Sequence, residues 1–164
     1  MAILEICRLG APVLREKAKP VHRLTKRHQK LLKDMAETLY EADGVGLAAP
    51  QIGISERIVV IDAGKGLLQL VNPVIVDSEG AQTDVEGCLS IPGVTGYVTR
   101  AEDVVVEAVS GEGRPIRIEG HGLLARALQH EIDHLDGILF IDRASGLGQE
   151  PVQETAEVKE PENK

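Results

Sequence analysis

The chain has 164 residues, of which 43% are hydrophobic, a length and composition typical of one globular domain with a sizeable core. The formal charge of −8 and the aromatic content of 2% argue against a nucleic-acid-binding module, because an acidic surface repels phosphates and few rings are present for base stacking. We expect neither direct nucleic-acid binding nor binding to anionic membranes.

The cysteine content and the N-terminal stretch favour a cytoplasmic protein. Two cysteines, Cys7 and Cys88, are too few for the disulfide framework of a small secreted domain, so a reducing compartment is expected. The first ten residues lack a basic region, and Glu5 and Arg8 interrupt their apolar run, so no signal peptide is predicted. No later segment approaches membrane-spanning length.

The first predicted element is a helix that begins after Thr25, a residue suited to an N-cap, and ends near Gly44. Apolar side chains recur along it at helical spacing: Leu31, Leu32, Met35 and Leu39. This pattern predicts a helix that packs against the core.

The next segment, GVGLAAPQIG (44–53), combines three glycines with one amide side chain, Gln51. Glycines allow a ligand to approach the backbone closely. The segment lacks the Lys-Ser/Thr of a phosphate loop, and no strand precedes it as in a dinucleotide fingerprint. By itself it is more typical of a turn that ends a helix and leads into a buried strand.

Five strands follow and then a second helix. The strand segments are rich in β-branched residues and are separated by Gly, Pro and Asp: 57–62, 67–76, 98–100, 103–109 and 115–120. The second helix is predicted from Gly122 to Leu135, with Gly137 after its end. This order favours a single α+β domain with mixed or antiparallel sheets.

The composition changes near the C-terminus, where GLGQEPVQETAEVKEPENK has five glutamates, two lysines and few large apolar residues. Such a segment is typical of disorder. We therefore predict a folded domain over residues 1–146 and an acidic, disordered tail without a catalytic role over residues 147–164.

The predicted second helix contains the pattern HEIDH. On a helix, His130 and His134 lie on one face about one turn apart, so both imidazoles can bind one cation, with Glu131 beside them to move a proton. The alternative is two surface or partly buried histidines on an amphipathic helix. A metal site also needs a further ligand.

Cys88, in EGCLSIPG (86–93), is the best candidate for that ligand, since a segment with glycine and proline can present a thiolate. The alternative is a small buried hydrophobic residue, the commonest state of a free cysteine. Cys7, which is surrounded by aliphatic residues, fits that alternative better.

The segments GVGLAAPQ, EGCLS and QHEIDHL, in this order, resemble the three motifs of the peptide deformylases, and the similarity extends over about residues 1–145. Members of this family remove the formyl group from the N-terminal methionine of newly made bacterial and organellar proteins. The resemblance implies a metal-dependent hydrolase with the second helix at its centre. Its partners would be N-formyl-Met nascent peptides, with a possible transient ribosome contact.

Carried over residue by residue, the resemblance implies that Cys88, His130 and His134 bind the metal, with water as the fourth ligand. The implied metal is Fe²⁺, which Zn²⁺, Ni²⁺ or Co²⁺ can replace. Glu131 would act as general base and then as general acid. The backbone N–H of Leu89 and the amide of Gln51 would stabilise the oxyanion.

The resemblance also implies an extended peptide that pairs with the backbone at Val45, Gly46 and Gly87. Leu123 and Arg126, on the predicted helix, are candidates for the wall of the methionine pocket, together with Val45. The guanidinium of Arg126 would reach solvent or contact the peptide at the rim.

Two carboxylates, Glu86 and Asp133, are candidates for orienting the metal ligands, although either fits an ordinary surface or strand-pairing role equally well or better. Two competing functions use the same residues. One is a zinc endopeptidase that acts through the same helix pattern. The other is a noncatalytic metal-binding or thiol-sensing protein, which would need neither Glu131 nor Gln51.

Overall fold

The computed structural model describes residues 2–149, and these form one α+β unit, as predicted. Helix α1 spans Lys26–Glu41 and helix α2 spans Leu123–Leu135. The strands of the described part are β1 (Gly46–Ala48), β2 (Ile58–Ile61), β3 (Leu68–Glu79), β4 (Gln82–Cys88), β5 (Ile91–Arg100), β6 (Asp103–Ser110), β7 (Pro115–His121) and β8 (Ser145–Gln149).

Strands β1, β2, β3, β6 and β7 form an antiparallel sheet in that order, and the two helices cover its two faces. Strand β2 shows how the sequence produces this layering. Ile58 and Val60 pack with the apolar side chains of α1, whereas Val59 and Ile61 pack with those of α2. Successive side chains point to opposite faces, so a strand covered on both sides reads as an unbroken apolar run.

Strands β4, β5 and β8 form a second, smaller antiparallel sheet. β4 and β5 are joined by a tight hairpin in which Cys88 pairs with Ile91, and a register shift separates Glu86 from Cys88. Such a bulge bends the strand and redirects the side chain that follows it. The bulged end of β4 thus carries Cys88.

Both helices and the α+β architecture are confirmed, and Thr25 is the N-cap of α1. The predicted segment 98–100 is only the end of β5, and β1 and β4 were not predicted as strands. The predicted domain boundary after residue 146 falls inside β8, because Ser145 and Gly148 pair with β5. The rest of the predicted tail, 150–164, lies outside the described residues.

Neither helix of the described part combines the length and the apolar character needed to cross a membrane.

Candidate metal centre and its pocket

Three predicted ligands from two elements come together. Cys88 lies at the end of β4, and His130 and His134 lie on α2; one ligand atom from each lies within 4.8 Å of the others. The Cys88 sulfur is 3.3 Å from Nε2 of His134. Both histidines are buried and Cys88 is half-buried. The helical spacing of four residues therefore presents the two rings to one sulfur, as expected.

The two imidazoles are held differently. Nδ1 of His130 lies 2.9 Å from the Glu86 carboxylate, which leaves Nε2 to face the centre. Nδ1 of His134 is buried and has no hydrogen-bond partner within residues 2–149. Burial lowers the pKa of His134 well below its ordinary value, so this ring is neutral and can donate a lone pair to a metal.

The surroundings of His130, unlike those of His134, favour positive charge. Burial opposes protonation of His130, but the Cys88 sulfur, Glu131 and Glu86 outweigh it and raise the pKa of this ring to about 10. The carboxylates of Glu86 and Glu131 would also stabilise a divalent cation at this point. One sulfur and two imidazole nitrogens are a donor set that suits zinc or iron, so the residues present fit a catalytic metal.

Glu131 lies behind the histidines against β1. Its carboxylate is 4.0 Å from Nε2 of His130, and burial raises its pKa to about 7. A Cβ on Gly46 would lie 2.6 Å from Oε2 of Glu131, so the absence of a side chain in β1 makes room for this carboxylate. A carboxyl group with a pKa near neutrality can both accept and return a proton.

Gln51 lies in the short helical turn Ala49–Ile52 and is buried. Its side-chain oxygen accepts from the backbone N–H of Ala48 at 2.9 Å, which points the amide nitrogen towards the centre. That nitrogen lies 3.6 Å from the Cys88 sulfur and 3.2 Å from Oγ of Ser90. Ser90 was not predicted; the signal was a hydroxyl residue two positions after the candidate cysteine.

A cavity of about 590 Å³ opens onto the centre. Its lining includes Leu89 and all the residues predicted to contact substrate: Val45, Gly46, Gly87, Leu123 and Arg126. Leu123 lies at the mouth and is 55% exposed. Both predicted positions of the Arg126 guanidinium were wrong, since this group is buried and bonded to Glu86 rather than at the rim or in solvent.

Glu86 is the hub of a buried ionic network. It accepts two hydrogen bonds from Arg100, at 2.5 and 2.9 Å, and others from Arg126 and His130. Burial opposes its ionisation, but the bonds from Arg100 and His130 outweigh burial and lower the pKa of Glu86 to about 2. Its contact with His130 supports the orienting role considered from the sequence.

Asp133 has a different position from that of Glu86. It accepts from Arg100 at 3.0 Å and from Arg143 at 2.7 Å. It therefore contacts Arg100, which in turn binds Glu86. No role was predicted for Arg100, because nothing in its local sequence distinguishes it from any other arginine at the end of a strand.

A cysteine sulfur, two imidazoles and a protonatable carboxylate beside a cavity define the class of metal-dependent hydrolases. Comparisons with known proteins narrow this class. The model of the polypeptide deformylase family matches residues 3–150. A peptide deformylase of Desulfitobacterium hafniense is 60% identical over 144 residues, 88% of this chain and 96% of the relative. One from Halothermothrix orenii is 53% identical over 93% of this chain and 100% of the relative.

Solved structures agree with these relatives. The crystal structure of a peptide deformylase from Legionella pneumophila superimposes with a TM-score of 0.84 at 50% identity, over 88% of this chain and 87% of that one. The crystal structure of the Synechococcus elongatus peptide deformylase in complex with actinonin superimposes with a TM-score of 0.85 at 46% identity, over 87% of this chain and 79% of that one. The chain therefore belongs to the polypeptide deformylase family, an enzyme family, and the two competing functions are not favoured.

Proposed function

We propose that this chain hydrolyses the formyl amide of N-formylmethionine at the start of newly made polypeptides, in the cytoplasm, and releases formate. The observation that carries the proposal is the convergence of Cys88, His130 and His134 beside Glu131 in a chain of this family. The proposed metal is Fe²⁺, with Zn²⁺, Ni²⁺ or Co²⁺ as substitutes, held by these three ligands. When bound, the cation would polarise the formyl oxygen and bring the pKa of a water ligand to about 7.

Glu131 is the proposed proton carrier. Its pKa of about 7 lets it accept a proton from the attacking water and return that proton to the departing amine. Gly46 holds no side chain against it, so β1 leaves room for the carboxylate beside the proposed metal ligands.

Gln51 and Leu89 are the proposed oxyanion donors. The Gln51 amide is fixed at its oxygen by Ala48, so its nitrogen is aimed before substrate arrives. Leu89 directly follows Cys88, and its backbone N–H is the second proposed donor in the same cavity. Donors that are already oriented stabilise developing negative charge without reorganisation.

The proposed substrate is an extended peptide. β1 and β4 are each an edge strand, and the cavity lies between them, with Val45 and Gly46 on one side and Gly87 on the other. A peptide could pair with both edges through its backbone, so recognition would depend little on the side chains after methionine. Leu123 and the stem of Arg126 would contact the methionine side chain.

The test is formate release from formyl-Met-Ala-Ser under anaerobic conditions with Fe²⁺. We expect turnover of this peptide and none of acetyl-Met-Ala-Ser or of internal amide bonds. Cleavage of casein would instead support the endopeptidase. Full activity in protein that is shown by metal analysis to hold only zinc would contradict the assignment of iron. Co-sedimentation with ribosomes tests the proposed transient contact.

A further inference from the structure

The metal ligands lie on two parts of the fold that share little apolar contact. The apolar cluster beneath the β4–β5 hairpin consists of Leu14, Ile91, Val98, Leu139 and Phe140, with partly buried neighbours that include Cys88. Among the described residues, no member of α2 belongs to that cluster, whereas α2 is firmly packed on the five-stranded sheet. His130 on α2 stacks on Phe140 of that cluster, with ring centroids 6.2 Å apart. Beyond this ring contact, polar side chains join the histidine helix to the strands of the hairpin.

Arg126 makes the most extensive of these contacts. It lies on α2, one turn before His130, and its guanidinium crosses to the other sheet. It donates to the Glu86 carboxylate on β4, to the backbone carbonyl of Val98 on β5 at 3.0 Å and to that of Gln82 at 3.3 Å. One side chain thus fastens the histidine helix to both strands of the hairpin.

Arg126 also completes the surroundings of Glu86. A carboxylate has about four acceptor positions. The donors at Glu86 are Nε and Nη2 of Arg100, Nη1 of Arg126 and Nδ1 of His130. All the positions are used, so the carboxylate has one orientation, and that orientation points one oxygen at His130. Removing Arg126 leaves one buried acceptor position of Glu86 empty, so this carboxylate is held by Arg100 and His130 alone.

We propose that Arg126 is a positioning residue for the metal centre, which holds the Cys88 strand and the histidine helix at the separation that a shared cation needs. The inference rests on the proposed use of these three residues as ligands. It assigns Arg126 a structural action through Glu86 and the hairpin backbone, in addition to its place in the cavity wall.

The experiment compares Arg126→Met with the matched control Arg57→Met. Methionine keeps an unbranched apolar stem and removes the guanidinium. Arg57 also donates to α2, at the Leu135 carbonyl (2.9 Å), and pairs with Asp136, but does not touch Glu86. Each full-length protein is loaded with Co²⁺, and the readouts are the rate of Co²⁺ transfer to a chelator and the visible spectrum of the cobalt–thiolate site.

We expect Arg126→Met to lose Co²⁺ about tenfold faster than the unchanged protein and to show a shifted spectrum. Arg57→Met should match the unchanged protein in both. A folded Arg126→Met with the original rate and spectrum would overturn the inference, as would equal losses in both variants. If Arg126→Met does not fold, Arg126→Lys decides, since lysine can pair with Glu86 but cannot span the two carbonyls. It should lose Co²⁺ severalfold faster, and the original rate would overturn the inference.

The same measurement separates this inference from the proposed function. If the unchanged protein bound no Co²⁺ at Cys88, the proposed metal site would be contradicted, and the proposed function with it. If it bound Co²⁺ with a thiolate spectrum and Arg126→Met behaved identically, only the role of Arg126 would fail.

Discussion

The two sheets hold their parts of the candidate site by different means. The five-stranded sheet fixes α2, and thus both histidines, through many buried aliphatic side chains. The three-stranded sheet carries Cys88 and meets α2 through the charged groups of Glu86, Arg100 and Arg126. Aliphatic packing spreads its free energy over many contacts, whereas a buried charge depends on each partner. Stability and ligand geometry should therefore respond to different substitutions.

The largest expected effect is on turnover, and it comes from a substitution that leaves the packing unchanged. Glu131→Gln keeps the shape of a buried side chain on the well-packed helix and removes its ability to carry a proton. We expect kcat/KM for formyl-Met-Ala-Ser to fall by about 10²–10⁴-fold. Metal content and the free energy of unfolding should remain close to those of the unchanged protein. Substantial turnover in this variant would remove Glu131 from the proposed mechanism.

The next effect tests the aliphatic side of the comparison. Leu128 is fully buried where α2 meets the five-stranded sheet. Leu128→Ala should lower the free energy of unfolding by about 2–5 kcal/mol, because it leaves a cavity that the fixed backbone cannot close. Denaturant unfolding measures this. The control Val85→Ala, at an exposed position of β4, should change it by less than about 0.5 kcal/mol. Equal losses would show that burial against the five-stranded sheet does not explain the effect at Leu128.

A smaller effect is expected at the hairpin that carries Cys88. Ser90 is buried and holds the amide of Gln51 at 3.2 Å. Ser90→Ala removes a hydrogen bond worth about 1 kcal/mol, so kcat should fall about fivefold while KM stays near its original value. Steady-state kinetics of formate release separate the two constants. Ser78→Ala, at an exposed position of β3, is the control. A change in KM alone would show that Ser90 acts on peptide binding instead.

The smallest effect contrasts an exposed ion pair with the buried network. Arg15 pairs with Asp142 at 2.5 Å and holds the pKa of that carboxyl below its usual range. The stabilisation is therefore present above the unfolded-state pKa of about 4 and is lost as the pH falls through the folded-state value. Both side chains are well exposed, so Arg15→Met should cost only about 0.2–1 kcal/mol at neutral pH.

Unfolding measured at neutral and at acidic pH checks this sign. The difference in free energy of unfolding between Arg15→Met and the unchanged protein should shrink as Asp142 becomes protonated. A difference that grows towards acidic pH would contradict the assignment of this pair.

The helices and strands could be predicted from the sequence wherever a regular pattern of apolar residues extends over enough positions. The period of α1 and the unbroken apolar run of β2 each identify an element, because burial repeats along it. β1 and β4 escaped prediction since they are short or contain glycine, and their pairing partners lie elsewhere in the chain. β8 escaped because strand pairing with β5, rather than composition, decides its structure.

The candidate site also has a part that could be predicted from the sequence and a part that could not. A metal accepts few ligand types at few spacings, so His130, His134 and Cys88 could be proposed from their motifs alone. The surroundings of Arg126 could not, because Glu86 lies 40 positions away and Val98 contributes only a backbone carbonyl. Such contacts depend on the completed fold, and the side chain alone suggested an arginine that reaches solvent or contacts the peptide at the rim.

The fully satisfied carboxylate of Glu86 has a consequence for anyone who wishes to transplant this centre into another scaffold. Grafting the cysteine and the helical pair of histidines would not be enough, since the two arginines and the acid between them set how far apart the donors stand. Exchanging one member of that trio would remove a charged partner from a buried ionic network. The three residues would have to be transferred or redesigned together, as one unit.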